Sequence, residues 1–513
     1  MIRVPFHAVV FPLFPVLFAA AVNNGEVSGR GFAIAAVAAV LASAICLAIV
    51  HFAVKRSWQR AALVVLLIAV LFWSYDLLVE AIAEIFASVL PVNSQSIVDW
   101  SLSSVCLAII LLWAGFIRRV AAEKIERVTT GLNVAAAALL IVLTVQAVLN
   151  ADQSEAEERI ATRTGATGAA SDTLPDIYYV ILDGYARSDV LRHYYEVDNP
   201  LVSNLQQRGF VVADASTSNY FWTVLSLTSS LNMDYVQTLT GGTLNPKSRQ
   251  LGALYELIRD NGVAHFLRER GYRYVHFRST WGATQLNEFA DQEVGCERRM
   301  AEDEFLRALA DASWLRVLRS KMGMDLAHCH QKQFAALARL GRSPGPKFVF
   351  AHFLVPHHPY LFDRDGTVLQ HVLLSNRLQA QQRQWEDRQS YANQLLYING
   401  QVLTALDGLL QDSPRKPIII VQSDHGPNLR DGLDFAEQKR VRFANLAAFY
   451  LPDAPADLLP ANVTPVNEFR YIFNHYFDAQ LPILPVRRFY SDYRTPFAFE
   501  PDEPPIDTGI HHE

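Results

Sequence analysis

The stretch Ile418–Arg430, IIIVQSDHGPNLR, runs four β-branched residues into an acid and an imidazole, then halts at Gly426-Pro427. Such a run suits a strand buried on both faces, and strands of that kind belong to parallel sheets covered by helices. Open sheets of this class gather ligands beyond the carboxyl ends of their strands. The apolar run is therefore support, and Asp424-His425 is what it presents at the rim.

Other stretches repeat the arrangement. DIYYVILDGYARSDVL offers a strand at Ile177–Leu182 ending in Asp183-Gly184, KFVFAHFLVPHHPY offers Phe348–Leu354 ending near His357, and Leu446–Pro452 offers a fourth. Between them Asp189–Arg208, Ala253–Arg270 and Gln382–Leu410 are long enough for helices. The expectation for 175–513 is an α/β domain with a mostly parallel central sheet sandwiched by helices.

The first part of the chain differs. A length of 513 residues exceeds one ordinary core, and the long uncharged runs lie before about residue 150. Five segments have the length and apolarity to cross about 30 Å of hydrocarbon: 5–22, 31–54, 61–79, 102–117 and 130–149. The loops holding Lys55, Arg56 and Arg60, and Arg118, Arg119, Lys124 and Arg127, are predicted to be cytoplasmic. Five crossings with the N-terminus inside then leave everything after 150 outside. The first segment is read as a retained helix, because Arg3 alone makes a thin n-region and four further spans follow. Asp76, near Trp73 and Tyr75, is read as an interfacial anchor. Residues 1–150 are thus a membrane domain, 151–174 an aperiodic linker and 175–513 the outer domain.

The net charge of −6 is mild, with both signs interleaved, which excludes a nucleic-acid surface. Cys46 and Cys106 sit in apolar runs, whereas Cys296 and Cys329 could pair if their half is outside the cytoplasm.

Asp183, Asp424 and His425 make an oxygen/nitrogen ligand set for a divalent ion, zinc or manganese. Taken singly, an Asp-Gly after a strand is a turn and an Asp-His pair is incidental. The hydroxyl-dense TSNYFWTVLSLTSSLNMDY, Thr217–Tyr235, reads either as a helix start capped by Ser218 or Asn219, or as the source of a metal-activated hydroxyl nucleophile. HFLVPHHPY supplies His352, His357 and His358; a lone histidine is a satisfied core residue, while three in seven positions suggest phosphate binding or proton transfer.

Together and in order, ILDGYARSDVL, SNYFWTVLSLTSSLNM, HFLVPHHPY and QSDHG resemble the alkaline phosphatase/sulfatase superfamily, in the branch of membrane-anchored phosphoethanolamine transferases and lipoteichoic acid synthase. The resemblance implies a metal on Asp183, Asp424 and His425, with Thr223 as both nucleophile and ligand and Ser226 three residues on. It implies that His352 and His357 contact the phosphate or a second metal, as catalytic groups; Ser226, His358, Arg442 and Asn219 are the residues expected at the substrate. One divalent ion, with room for a second, is the implied cofactor.

Gly426–Phe443 contains no further histidine, which leaves Arg442 as the nearest basic group, and no Cys/Ser-x-Pro-x-Arg motif for formylglycine lies near Thr223. The implied activity is transfer of phosphoethanolamine or phosphoglycerol from a phospholipid donor to an envelope glycan or lipid at a bacterial inner membrane. A phosphodiesterase or phosphatase-type hydrolase with water as acceptor is the nearest alternative. A non-catalytic assembly factor for surface polysaccharide is the third.

Overall fold

The computed structural model describes residues 4–23, 26–85, 95–158, 174–295, 303–369 and 378–502. By compactness the chain divides into two units, Met1–Ala156 with Asp303–Met322, and Glu157–Glu302 with Gly323–Glu513. Residues 303–322, expected with the outer domain, therefore group with the membrane helices.

The first unit contains α1 (His7–Val22), α2 (Gly29–Ala53), α3 (Trp58–Trp73), α4 (Tyr75–Ile85), α5 (Gln95–Ile117) and α6 (Ala122–Glu158). Ser28 and Ser57 start α2 and α3 by accepting hydrogen bonds from Gly31 N and Arg60 N. Among the described residues three helices are long and apolar enough to cross a membrane, and α3 with α4 makes a fourth if that pair, bent by 53°, is one span. α1 is apolar but shorter. The two basic loops meet at one end, where Arg60 Nη1 donates to the carbonyls of Ile117 and Val120 at 2.8 and 3.0 Å.

Three features depart from the sequence reading. The third apolar segment is broken after Ser74 rather than straight. α6 continues as helix to Glu158, past the expected start of a linker at 151, while 159–173 lie outside the described residues. Asp76, expected as an interfacial anchor, is buried and paired with Arg316.

The second unit is built on a seven-stranded sheet of order β2-β7-β6-β1-β5-β3-β4. In chain order these are β1 (Ile177–Leu182), β2 (Val211–Val212), β3 (Arg273–Phe277), β4 (Gln292–Val294), β5 (Lys347–Phe353), β6 (Ile418–Gln422) and β7 (Ala447–Tyr450). β1 is paired in parallel with both β5 and β6, and every residue of these three strands is buried. β7 runs antiparallel to β6, and β2 antiparallel to β7, at the edge.

The expected long helices are interrupted. Glu196 in the left-handed region and Pro200 separate Ser188–Tyr195 from Pro200–Gln207. Asn261 caps a new start at Gly262, and Asp387 caps one at Arg388. One sheet face packs on helices Thr223–Asn232 and Pro465–Phe477 through Tyr179, Ile420, Leu227 and Phe469. Cys329 is disulfide-bonded; Cys296 lies outside the described residues.

Glu468, in the first turn of Pro465–Phe477, is fully buried and neither carboxylate oxygen has a hydrogen-bond partner among the described residues. Burial pushes its carboxyl well above the ordinary range. The folded chain thus keeps a proton that the unfolded chain releases above pH ~4.3. Stability contributed by this group is present at lower pH and falls as pH rises towards the folded value. Glu468→Gln is expected to raise stability at pH 8 by about 1–3 kcal/mol and to change it little at pH 4, as read by denaturant titration of the detergent-solubilised chain.

Candidate active site

Because β1 and β6 are adjacent, parallel and in register, with Ile181 beside Gln422, their ends deliver Asp183 and Asp424 to one edge. The turns that follow are stitched together. Gly184 N donates to Asp424 Oδ1 at 3.1 Å, and Tyr185 N donates to Ser423 Oγ at 2.8 Å. Tyr391 Oη donates to the Gly184 carbonyl at 2.9 Å and accepts from Ala186 N at 3.0 Å. Gly184 has φ of +67°, and a Cβ there would meet the Trp385 ring at 2.7 Å, so both conformation and space call for glycine. A Cβ on Gly426 would lie 2.2 Å from the Val441 carbonyl.

Each of the three ligand candidates commits one polar atom to the protein and turns another inward. Asp424 spends Oδ1 on Gly184. His425 Nδ1 donates to the Gly426 carbonyl at 3.0 Å, which leaves the lone pair on Nε2. Asp183 Oδ2 faces His352 Nε2 at 3.5 Å. Asp183 Oδ1 and Asp424 Oδ2 are buried with no hydrogen-bond partner among the described residues. His425 Nε2 lies 3.1 Å from Asp424 Oδ2 and 3.9 Å from Asp183 Oδ1, and the three atoms fall within 4.8 Å of one another. Tetrahedral bonds of about 2.1 Å set ligand atoms about 3.4 Å apart, so the residues fit a divalent cation.

The charges agree with that fit. Burial and the neighbouring Asp183 push the Asp424 carboxyl up. Burial alone would raise Asp183 too, but His357, His352 and His425 outweigh it and hold this carboxyl low. Burial, with Arg442 alongside, keeps His425 neutral by lowering its pKa well below the usual value. Two full negative charges side by side are thus disfavoured here, and a bound cation would offset that cost.

Thr223 opens the helix Thr223–Asn232 after extended Trp222, and its Oγ1 is 2.9 Å from His425 Nε2. Arg442, near the end of Phe435–Phe443, is buried with its Nη2 2.9 Å from the same nitrogen. It is held by the Phe221 and Gly426 carbonyls, both at 2.9 Å, and burial draws its pKa down to about 10.

His352, on β5, is buried with Nδ1 3.0 Å from Thr284 Oγ1. His357 N donates to the Asp183 carbonyl at 3.0 Å and its Nδ1 to the His358 carbonyl at 2.5 Å. Burial lowers the pKa of His357 and, more strongly, of His358.

Two of the sequence candidates are bound to backbone. Asn219, expected at the substrate, spends Oδ1 on Val466 N and Nδ2 on the Arg487 carbonyl, and so fixes the loop before Thr223. Ser226, expected beside it, donates to the Tyr220 carbonyl at 3.2 Å.

Trp385, which sequence reasoning passed over, is buried with its ring 4.7 Å from His357, 5.1 Å from His358 and 5.7 Å from the Arg442 guanidinium. Its one signal in the sequence is its isolation as the sole large apolar residue in the polar run QAQQRQWEDRQ.

A family model described as Sulfatase matches residues 175–464, more than half of the chain. No curated protein matches. Among solved structures, the C-terminal periplasmic domain of EcEptC from Escherichia coli is similar at 13% identity, covering 66% of this chain and 93% of that one, with a TM-score of 0.41. The lipooligosaccharide phosphoethanolamine transferase A from Neisseria meningitidis is similar at 11% identity over 92% of this chain and 95% of that one, with a TM-score of 0.38. A putative sulfatase from Bacteroides thetaiotaomicron is similar at 12% identity over 60% and 72%, with a TM-score of 0.38.

The full chain purified without chelator is expected to carry a divalent ion, measured by elemental analysis. Asp424→Asn should weaken that binding by about 100-fold or more, whereas Ser226→Ala should leave it unchanged.

Proposed function

Since the chain belongs to the sulfatase family, we propose that its α/β domain uses the Thr223 hydroxyl to take a phospho-substituent from a phospholipid and pass it to a cell-envelope glycan or lipid. The observation that carries this reading is the placement of Thr223 Oγ1 within 2.9 Å of His425 Nε2, beside the inward carboxylate oxygens. A threonine at that point, without a Cys/Ser-x-Pro-x-Arg motif around it, suits a phosphoester intermediate better than formylglycine chemistry.

Asp183, Asp424 and His425, with Thr223, would hold the divalent ion, zinc or manganese. When bound it supplies acidification of the Thr223 hydroxyl and neutralisation of phosphate charge. In the first half-reaction a bond forms between Thr223 Oγ1 and phosphorus, and the bond from phosphorus to the lipid oxygen breaks. The proton leaving Thr223 ends on the departing diacylglycerol oxygen. In this reading His357 would carry it on Nε2, since its Nδ1–H is spent on the His358 carbonyl. In the second half an acceptor hydroxyl displaces Thr223 and the proton movement reverses.

Arg442 is the group for the phosphate oxygens, buried and already oriented by two carbonyls. His352 would stabilise charge through Asp183, and His358, its ring 4.1 Å from that of His357, would back that histidine at the substrate. In this reading the membrane helices hold the domain outside a bacterial inner membrane, next to its donor.

Incubating the full chain with vesicles of phosphatidylethanolamine or phosphatidylglycerol, followed by peptide mass spectrometry, tests the proposal. A mass gain on Thr223 equal to phosphoethanolamine or phosphoglycerol is expected. Thr223→Ala should abolish the adduct and lower turnover by about a thousandfold or more. Rapid release of free headgroup phosphate without acceptor would point instead to a hydrolase, and unchanged turnover in Thr223→Ala would overturn the nucleophile.

A further inference from the structure

The segment Asp303–Met322 lies mid-way along the chain of the α/β domain yet belongs to the membrane unit. It comprises a helix, Glu304–Ala312, and a 3-10 turn, Trp314–Leu318. Three footholds fix it. Asp303 Oδ2 accepts from Ser28 Oγ at 2.8 Å, while Oδ1 caps its own helix through Leu306 N. The Trp314 ring stacks on Tyr75 at 5.2 Å and 8°, and its Nε1 donates to Ser103 Oγ at 2.8 Å. Arg316 is buried, bonded to Asp76, with Nε 3.4 Å from Asp99 Oδ1.

Ser28 precedes α2, Asp76 begins α4, and Asp99 and Ser103 lie in the first turns of α5. All are therefore at the helix ends opposite the Lys/Arg-rich loops. A buried guanidinium facing two carboxylates is a strong mutual constraint, since removing either side leaves an uncompensated buried charge.

Several large apolar side chains close in sequence to this ionic site are exposed. In the 3-10 turn Arg316 points inward while Leu315 and Val317 are 40% and 37% exposed. Beside the paired acids, Leu77 and Trp100 are 60% and 71% exposed. Further along α5, Leu107 and Leu111 are exposed as well. Apolar side chains with a tryptophan, ringing a charge pair hidden from solvent, match the boundary between lipid headgroups and acyl chains.

We propose that Trp314–Leu318 is a lipid-contacting element, locked to the membrane helices by Arg316, that lays Leu315 and Val317 on the bilayer. The chain of the α/β domain then returns to the membrane between residues 303 and 322 as well as leaving it after α6. The inference is independent of the proposed chemistry.

Nitroxide labels at Leu315→Cys and Val317→Cys, in the full chain carrying Cys46→Ser and Cys106→Ser and reconstituted in phosphatidylethanolamine/phosphatidylglycerol vesicles, test it. Collision with oxygen is expected to exceed collision with a water-soluble nickel chelate at both positions, as at a Leu111→Cys control and opposite to a Tyr493→Cys control. Labels at 315 and 317 that behave like the one at 493 would overturn the proposal. Arg316→Ala should shift the 315 label towards the aqueous reagent while the 111 label stays in lipid, which also reports that the helices remain inserted. A 315 label that does not move would refute the lock.

Discussion

Everything at the sheet edge depends on two carboxylates, Asp183 and Asp424, held side by side where water does not reach them. Like charges about 4 Å apart repel by about 4 kcal/mol at the effective dielectric of a protein site. The fold accepts this arrangement because β1 and β6 are neighbours in register, and because the Gly184 turn clamps one oxygen of Asp424. The neighbouring features serve that clamp: Ser423 and Tyr391 fix the turn, and Trp385 excludes any side chain at 184. A cation would turn the repulsion into ligation, and Asp183 Oδ1 and Asp424 Oδ2, without hydrogen-bond partners among the described residues, are two of the atoms it would bind.

The nucleophile is tied to the same centre by its own element. Thr223 starts a helix whose residues from Val224 to Asn232 are buried against the sheet, so its position is set by core packing rather than by a loop. Asn219 and Ser226 do the fixing, through bonds to the backbone of Val466, Arg487 and Tyr220. Arg442 then reaches the same His425 nitrogen. A threonine in this place within a sulfatase-family domain is the feature that separates the proposed phospho-transfer from sulfate-ester chemistry.

Much of this edge was legible in the sequence because the signal is local. A buried parallel strand is a short β-branched run, and whatever ends it sits at the rim, so Asp183, Asp424, His425 and the histidines after β5 could be read directly. The helix breaks were partly written in Pro200, Asn261 and Asp387, and were missed because apolar spacing continues across them. The backbone partners of Asn219 were not legible, because a capping-type amide looks the same whether it faces a ligand or a backbone amide. Trp385 and the Arg316–Asp76 pair were invisible for a different reason: their partners sit on other elements, as far as 240 residues away for Arg316 and Asp76, where no periodicity connects them.

The account rests on a divalent ion bound by Asp183, Asp424, His425 and Thr223 together. X-ray absorption at the metal K-edge of the purified full chain tests this most directly. A first shell of oxygen and nitrogen at about 2.0–2.2 Å including one imidazole, lost in His425→Ala, is the predicted result. A fully hydrated ion without imidazole, or a shell unchanged by His425→Ala, would contradict it.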